Sequence, residues 1–257
     1  MATILITGAT SGLGRAVAER LAGDGHAILV HGRDPELIDA VVAGLPGSAR
    51  GHQADLASLA DVRRLADEVE GEVDVLINNA GVASTERRES ADGVELDFAV
   101  NHLAHWLLTG LLLPRIRERI VNVASNGQAA IDWDDPLLER GWQSFRAYAQ
   151  SKLAQIAFTF DLAARIGAGA PTVNALHPAT LMDTRMVRES FGGSRTKVED
   201  GVGPVVRLAV DPALDGVSGR FFDRASESRA EPQAYDAESR ARLWRLSAEL
   251  AGDDPYG

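Results

Sequence analysis

Short runs of β-branched and aliphatic residues alternate with helical segments along nearly the whole chain, and this alternation most narrows the folds open to it. Thr3–Thr7 reads as a strand, after which Leu13, Val17 and Leu21 fall at four-residue spacing on one helical face. Ala27–His31 reads as the next strand, and Asp34-Pro35 opens a helix with Asp as N-cap and Pro in the first turn. Ala49–Gln53, Val73–Asn78, Arg119–Ala124 and Thr172–Leu176 read as four further strands, with helical patterns near 58–70, 94–113 and 144–166. Val73-Asp74-Val75-Leu76-Ile77 is almost continuously apolar, as a strand covered on both faces of a parallel sheet requires. The expected fold is therefore α/β, a doubly wound parallel sheet with ligands at the carboxyl ends of its strands. The 257 residues show no internal repeat and no long linker, so one domain is expected over 1–257. Phe221-Phe222 reads as a last strand, and 236–251 as a C-terminal helix whose Leu243, Leu246 and Leu250 pack inward.

Between the first strand and the first helix stands Thr7-Gly8-Ala9-Thr10-Ser11-Gly12-Leu13-Gly14. Gly8 permits a tight turn, Gly12 lets backbone approach a diphosphate, and Gly14 allows close helix–strand packing. The helix N-terminus then offers unpaired N–H groups to an anion. A nucleoside-triphosphate loop would need Gly-Lys-Ser/Thr, whereas Arg15-Ala16 follow Gly14. A dinucleotide is thus the expected ligand of this loop.

The formal net charge of −11 argues against a nucleic-acid partner, whose phosphates call for clustered Lys and Arg. Cysteine is absent, which removes disulfides, thiolate metal sites and thiol nucleophiles, and fits a cytoplasmic setting. The start Met1-Ala2-Thr3-Ile4 enters a strand at once, without the basic region of a secretory signal. The greasiest segment, Trp106–Leu113, is broken by Thr109 and Gly110 and closed by Pro114, so it reads as buried helix and no membrane partner is expected.

The spacing Thr-Gly-x-x-x-Gly-x-Gly resembles the short-chain dehydrogenase/reductase family in its short, single-domain form. Further matches follow in the family's order: Asp55-Leu56 at the end of the third strand, Asn78-Asn79-Ala80-Gly81 at the fourth, and Asn101 in the next helix. Ser125 then ends the fifth strand, and Tyr148-Ala149-Gln150-Ser151-Lys152 matches Tyr-x-x-x-Lys. The resemblance spans about residues 3–222, and the wording around Phe98-Ala99-Val100-Asn101-His102-Leu103 looks closest to the retinol-dehydrogenase-like branch.

The resemblance implies a Rossmann-type fold and an enzyme that interconverts a carbonyl and an alcohol with a nicotinamide cofactor. It implies cofactor contacts from Gly8, Thr10, Ser11, Gly12, Leu13, Gly14, Asp55, Leu56, Asn79, Ala80, Gly81, Tyr148 and Lys152, with Leu181 and Thr184 beside the nicotinamide. Tyr148 is then the acid/base, Lys152 holds the nicotinamide ribose, Ser125 binds the substrate oxygen, and Asn101 holds a water relay to Lys152. Tyr148 and Lys152, four apart, share a helix face, and a nearby ammonium is expected to lower the phenol's pKa. Homo-oligomers through the helices carrying Asn101 and Tyr148 also follow by resemblance, although the retinol-dehydrogenase-like branch admits a monomer. A cofactor-sensing regulator without turnover is the alternative, disfavoured by the intact Ser125, Tyr148 and Lys152.

Arg33 follows the second strand and carries the planar fork suited to a 2′-phosphate, while Asp34 is already useful as a helix cap. NADP(H) is therefore expected in preference to NAD(H). The family's Pro-Gly after the sixth strand is Pro178-Ala179 here, which obliges that backbone to avoid conformations closed to alanine. Asp132, Asp134 and Asp135 read as an exposed acidic loop and not a metal site. Trp133 and Trp142 either line the substrate pocket or pin the loop. Residues 184–203 read as a mobile lid, and His102, His105 and His177 as structural.

Overall fold

The computed structural model describes residues Met1–Gly257. Eight strands form one sheet in the order β3-β2-β1-β4-β5-β6-β7-β8. They are β1 (Thr3–Ile6), β2 (Ala27–Gly32), β3 (Ala49–Gln53), β4 (Val73–Asn78), β5 (Ile116–Val123), β6 (Thr172–His177), β7 (Arg220–Asp223) and β8 (Ser226–Ser228). The first seven run parallel and β8 closes one edge antiparallel to β7. The expected doubly wound parallel sheet is therefore present. β8, with the polar sequence Ser-Glu-Ser, carries no apolar signature and was not legible.

The helices are α1 (Gly12–Gly23), α2 (Pro35–Gly44), α3 (Leu59–Glu68), α4 (Leu96–Phe98), α5 (Ala104–Leu112), α6 (Ser144–Ile166), α7 (Arg185–Ser190), α8 (Glu199–Val210) and α9 (Ala237–Ala251). Alternating side chains sort the strands' apolar residues into two cores, one on each face. Leu5, Leu76 and Ile120 join α3, α5, α6 and α9 in one. Ile4, Ile6, Val75, Ile77 and Val121 join α1, α2 and α8 in the other. A strand buried on both faces can keep no polar side, which is why β4 reads as a solid apolar run.

The long helix expected near 94–113 is interrupted. Ala99–Leu103 form a π turn between α4 and α5, with the Ala104 N–H reaching back to the Ala99 carbonyl. Such turns leave a carbonyl unspent and recur at functional sites. The helical run Leu96–Arg115 has 20 residues and contains an 18-residue stretch of mean hydropathy 1.2, long and apolar enough to cross a membrane by those measures. That is longer than the greasy segment picked from the sequence, and 83% of the 18-residue stretch is buried inside the domain.

Residues 199–203, placed in the lid by composition, begin α8 instead. Gly201 sits against Leu13, Met182 and Pro178, so the glycine that looked like a loop marker is a close-packing position.

The C-terminal segment covers α5 and α6. His102 meets Ser247 of α9 at 2.8 Å. The Tyr256 hydroxyl donates to the Trp106 carbonyl at 2.7 Å, and Trp106, Trp244 and Tyr256 stack with centroids 4.6 to 5.6 Å apart. A Cβ on Gly110 would lie 2.4 Å from Pro255, so glycine at that position is what seats the tail. The faces of these two helices that contact α9 and the tail are thus occupied by the chain's own residues. Homo-oligomer contacts through them would first require that segment to leave.

Tyr256→Ala should lower the unfolding free energy by about 3 kcal/mol. The change would be read as a lower urea midpoint at unchanged slope. Unchanged stability would show that the tail is not part of the core. Burial lowers the pKa of His31 to about 4 and of His102 and His105 to about 3. Each is neutral when folded, whereas the unfolded chain binds a proton near pH 6.5. Stability is therefore fully present above about pH 6.5 and is lost on acidification toward the folded values, at about 1.4 kcal/mol per pH unit per histidine. His102→Asn should make the stability-versus-pH curve shallower over that window, and a curve of unchanged slope would overturn the assignment.

Candidate active site

The carboxyl ends of β1 and β4 meet at the point where the strand order reverses, and a hydroxyl joins them. Thr7 Oγ1 accepts the backbone N–H groups of Asn79 and Ala80 at 2.9 and 3.0 Å. Asn79 Nδ2 donates to the Thr7 carbonyl at 2.8 Å. The glycine loop leaves from this seam. Gly8 and Gly12 hold φ of +66° and +52°, a region costly for other residues. A Cβ on Gly14 would lie 2.3 Å from the Gly8 carbonyl oxygen, so the helix can lie this close to the loop only with glycine there. Ser11 stands at the N-cap of α1 and makes no side-chain cap bond, leaving the first-turn N–H groups of the helix for an anion.

His31 clamps the loop from β2. Its Nδ1 accepts the Gly8 N–H at 3.1 Å and its Nε2 lies 3.2 Å from the Ala54 carbonyl. The two partners define a neutral ring with the proton on Nε2. The sequence carried no sign of this role.

α6 sets Tyr148 and Lys152 one turn apart on the face that turns to β5. Both are buried, at 8% and 4% exposure. The Lys152 ammonium donates to the Val123 carbonyl at 2.9 Å and to Gln155 Oε1 at 3.2 Å. It lies 5.9 Å from the centre of the Tyr148 ring. Burial pulls the lysine down to about 8, opposed by the nearby Asp97 carboxylate. The phenol departs from expectation: burial pushes Tyr148 above the usual value, the Ser125 hydroxyl offsets part of this, and Asp97 adds to it. Burial is the main cause, and the ammonium, bonded to the Val123 and Gln155 oxygens, makes no bond to the phenol.

Ser125 lies two residues beyond the end of β5. Its Oγ accepts the Gly127 N–H at 2.9 Å, which leaves the hydroxyl proton to be donated elsewhere. Asn101, in the π turn, brackets the segment after β4: its Oδ1 accepts the Val82 N–H at 2.8 Å and its Nδ2 lies 2.9 Å from both the Val82 carbonyl and Ser151 Oγ. Its backbone carbonyl faces His105 Nδ1 at 3.2 Å.

One cavity of about 630 Å³ gathers nearly all of these residues. Gly8, Thr10, Ser11, Gly12, Leu13, Gly14, Arg33, Asp55, Leu56, Asn79, Ala80 and Gly81 line it together with Ser125, Tyr148, Lys152, Leu181 and Thr184. Asn101 does not line it; fully buried, it acts on the cavity wall through Val82 and Ser151. β3 stops at Gln53, so Asp55 lies beyond the strand, where its carboxylate accepts the Ala57 N–H at 3.0 Å. Arg33 is exposed on the cavity rim, while Asp34 Oδ1 is taken by the N–H groups of Glu36 and Leu37.

Ala179 adopts no left-handed conformation; the unusual backbone falls instead on Leu181, with φ +50°. There the chain turns into the segment carrying α7, and the Leu181 carbonyl accepts the Arg195 N–H at 2.8 Å. Ser190 Oγ donates to the Ala83 carbonyl at 2.6 Å, tying this segment to the stretch after β4. Phe191 then meets the Tyr148 ring edge-on at 5.3 Å. Phe145, Met186 and Phe191 complete an apolar wall that no sequence motif marked. Trp133 and Trp142 do not line the cavity. They pin loops, through Ser239 at 3.4 Å and Glu95 at 3.1 Å. Asp132 pairs with Arg146 at 2.8 Å, and Asp135 accepts the N–H groups of Glu139 and Arg140.

Comparison with known proteins agrees with this geometry. The short chain dehydrogenase profile matches residues 2–194. Human retinol dehydrogenase 13 is 36% identical over 280 residues, covering 97% of this chain and 84% of that protein. A crystal structure of a Mycobacterium paratuberculosis protein superposes with a TM-score of 0.84 at 31% identity, over 99% of this chain and 94% of the other. A Beutenbergia cavernae structure, assigned as an NAD(P)-dependent gluconate 5-dehydrogenase with NADP bound at low occupancy, gives 0.68 at 31% identity, over 86% and 94%. The chain belongs to the short-chain dehydrogenase/reductase family, NAD(P)(H)-binding oxidoreductases of the alcohol/carbonyl pair, and within it to the retinol-dehydrogenase-like branch.

Proposed function

We propose that this protein is an NADP(H)-dependent carbonyl reductase or alcohol dehydrogenase in which Tyr148 is the acid/base. The observation that carries the reading is the convergence of Ser125, Tyr148 and Lys152 on the same cavity as the glycine loop. The cavity suits a dinucleotide: the uncapped N-terminus of α1 can take the diphosphate, and Gly14 lets that helix end lie close against the loop that lines the cavity. Arg33 is the group for a 2′-phosphate, since the competing Asp34 is spent on capping α2. Ser11, at the mouth of the loop, is a second phosphate contact.

When bound, the nicotinamide supplies or accepts the hydride. In the reductive direction the Tyr148 phenol donates its proton to the substrate oxygen, and in oxidation it takes that proton back. Ser125 donates its hydroxyl proton to the same oxygen, where negative charge develops, because its lone pair already holds the Gly127 N–H. Lys152, held as an ammonium, takes the ribose hydroxyls. Asn101 holds the Val82 backbone and, through Ser151, the α6 turn below Tyr148. Leu181 and Thr184 stand beside the nicotinamide position. The segment carrying α7 acts as the lid, with Phe191 laid on the acid/base and its base pinned at Leu181.

The direct assay is NADPH consumption against aldehydes, ketones and quinones, and NADP⁺ reduction against alcohols. Tyr148→Phe should reduce turnover by about 10²–10⁴-fold without loss of NADPH binding. A Tyr148→Phe enzyme that still turns over would overturn the acid/base role; tight NADPH binding without turnover on either panel would favour a regulatory binding protein. Arg33→Ala should cost about 1.5–3 kcal/mol in NADPH affinity and leave NADH binding nearly unchanged. Equal losses for the two cofactors would remove the case for NADP(H).

A further inference from the structure

Tyr148, Lys152 and Gln155 stand at i, i+4 and i+7 of α6, so three polar side chains share one buried stripe. Gln155 has no exposed surface. An ammonium offers three donors and no acceptor, so the end of the Gln155 amide that faces it is the oxygen. The other end, Nε2, lies 3.4 Å from His105 Nδ1, and His105 Nε2 lies 3.1 Å from Thr7 Oγ1. A row of polar groups thus runs from the lysine to the root of the glycine loop.

We propose that Gln155 is a positioning residue for Lys152: its Oε1 accepts from the buried ammonium. The inference rests on Lys152 working as an ammonium in the proposed reaction. Three titratable groups face the lysine, namely Asp97 from α4, His105 from α5 and Tyr148 from α6 itself. None of them bonds Nζ. Its protein acceptors are the Val123 carbonyl, which any residue would supply, and Gln155, which only this side chain does. A buried cation with one acceptor removed loses its charged form more readily, and with a carboxylate in place of the amide holds it more firmly.

The chain contains only two lysines, Lys152 and the exposed Lys197, so its lysine charges can be read directly. With ¹³Cε-lysine the protein should give two NMR signals, and Lys152→Met assigns them. The wild-type Lys152 signal should titrate at about 8. Gln155→Leu should move that midpoint down by about one unit, and Gln155→Glu should move it up by about one unit or more. Gln155→Asn, whose shorter stem withdraws the oxygen, should also move it down and serves if the apolar variant does not fold. Far-UV circular dichroism identifies the folded variants, and an unmoved midpoint in any of them overturns the proposal. The titration needs no substrate, so it is separable from the function: retained turnover in Tyr148→Phe overturns the acid/base reading alone, and an unmoved lysine midpoint overturns the role of Gln155 alone.

Discussion

The hydroxyl of Thr7 is the joint on which the site depends. By accepting two N–H groups from the turn after β4, it locks the ends of the two central strands together at the switch point of the sheet. Both loops that build the cavity leave from that joint: the glycine loop on one side and Asn79-Ala80-Gly81 on the other. Unpaired backbone groups at a buried strand end would each cost about 1–3 kcal/mol, and one threonine with one asparagine satisfies most of them. An anion site made of backbone N–H groups works only if the backbone is held still, and this joint holds it.

The catalytic candidates are fixed by a second constraint, the burial of a cation. Lys152 has no carboxylate bonded to it, so its charge is carried by a backbone carbonyl and an amide, with Asp97 at longer range. Asp97 is itself buried and pushed up to about 7, chiefly by desolvation, while the N–H and hydroxyl of Ser84 bond to it. The site thus balances a weakened cation against a weakened anion, and Tyr148, desolvated beside both, stays a phenol. A protonated phenol is the form required to donate to a carbonyl oxygen.

Around this centre the apolar wall of the cavity is built differently. Its wall comes from Phe145 at the start of α6 and from Met186 and Phe191 in the α7 segment, which is pinned at Leu181 and at Ser190. None of these positions obeys a motif, because an apolar wall needs only shape and contact. The arrangement sets a part made of backbone and glycine beside a part made of interchangeable side chains.

The sequence alone determined the sheet, the two layers and the cofactor loop, because each follows from local rules: apolar runs, helix spacing, and glycines where a side chain would collide. It also set Tyr148 and Lys152 on one helix face, since a four-residue spacing is nearly a full turn. Tertiary structure alone decided the rest. The His31 clamp depends on a loop distant in the chain, and the π turn and the polar edge strand β8 carry no local pattern that marks them. The direction in which the Lys152 ammonium points depends on Val123 and Gln155, and the raised phenol depends on the burial of Tyr148 by the packed fold. Residues 199–203 looked like a loop, yet they open α8, where Gly201 lies close against Met182 and Leu13. Local composition reports what a segment can form, whereas charge state and contact are properties of what surrounds it.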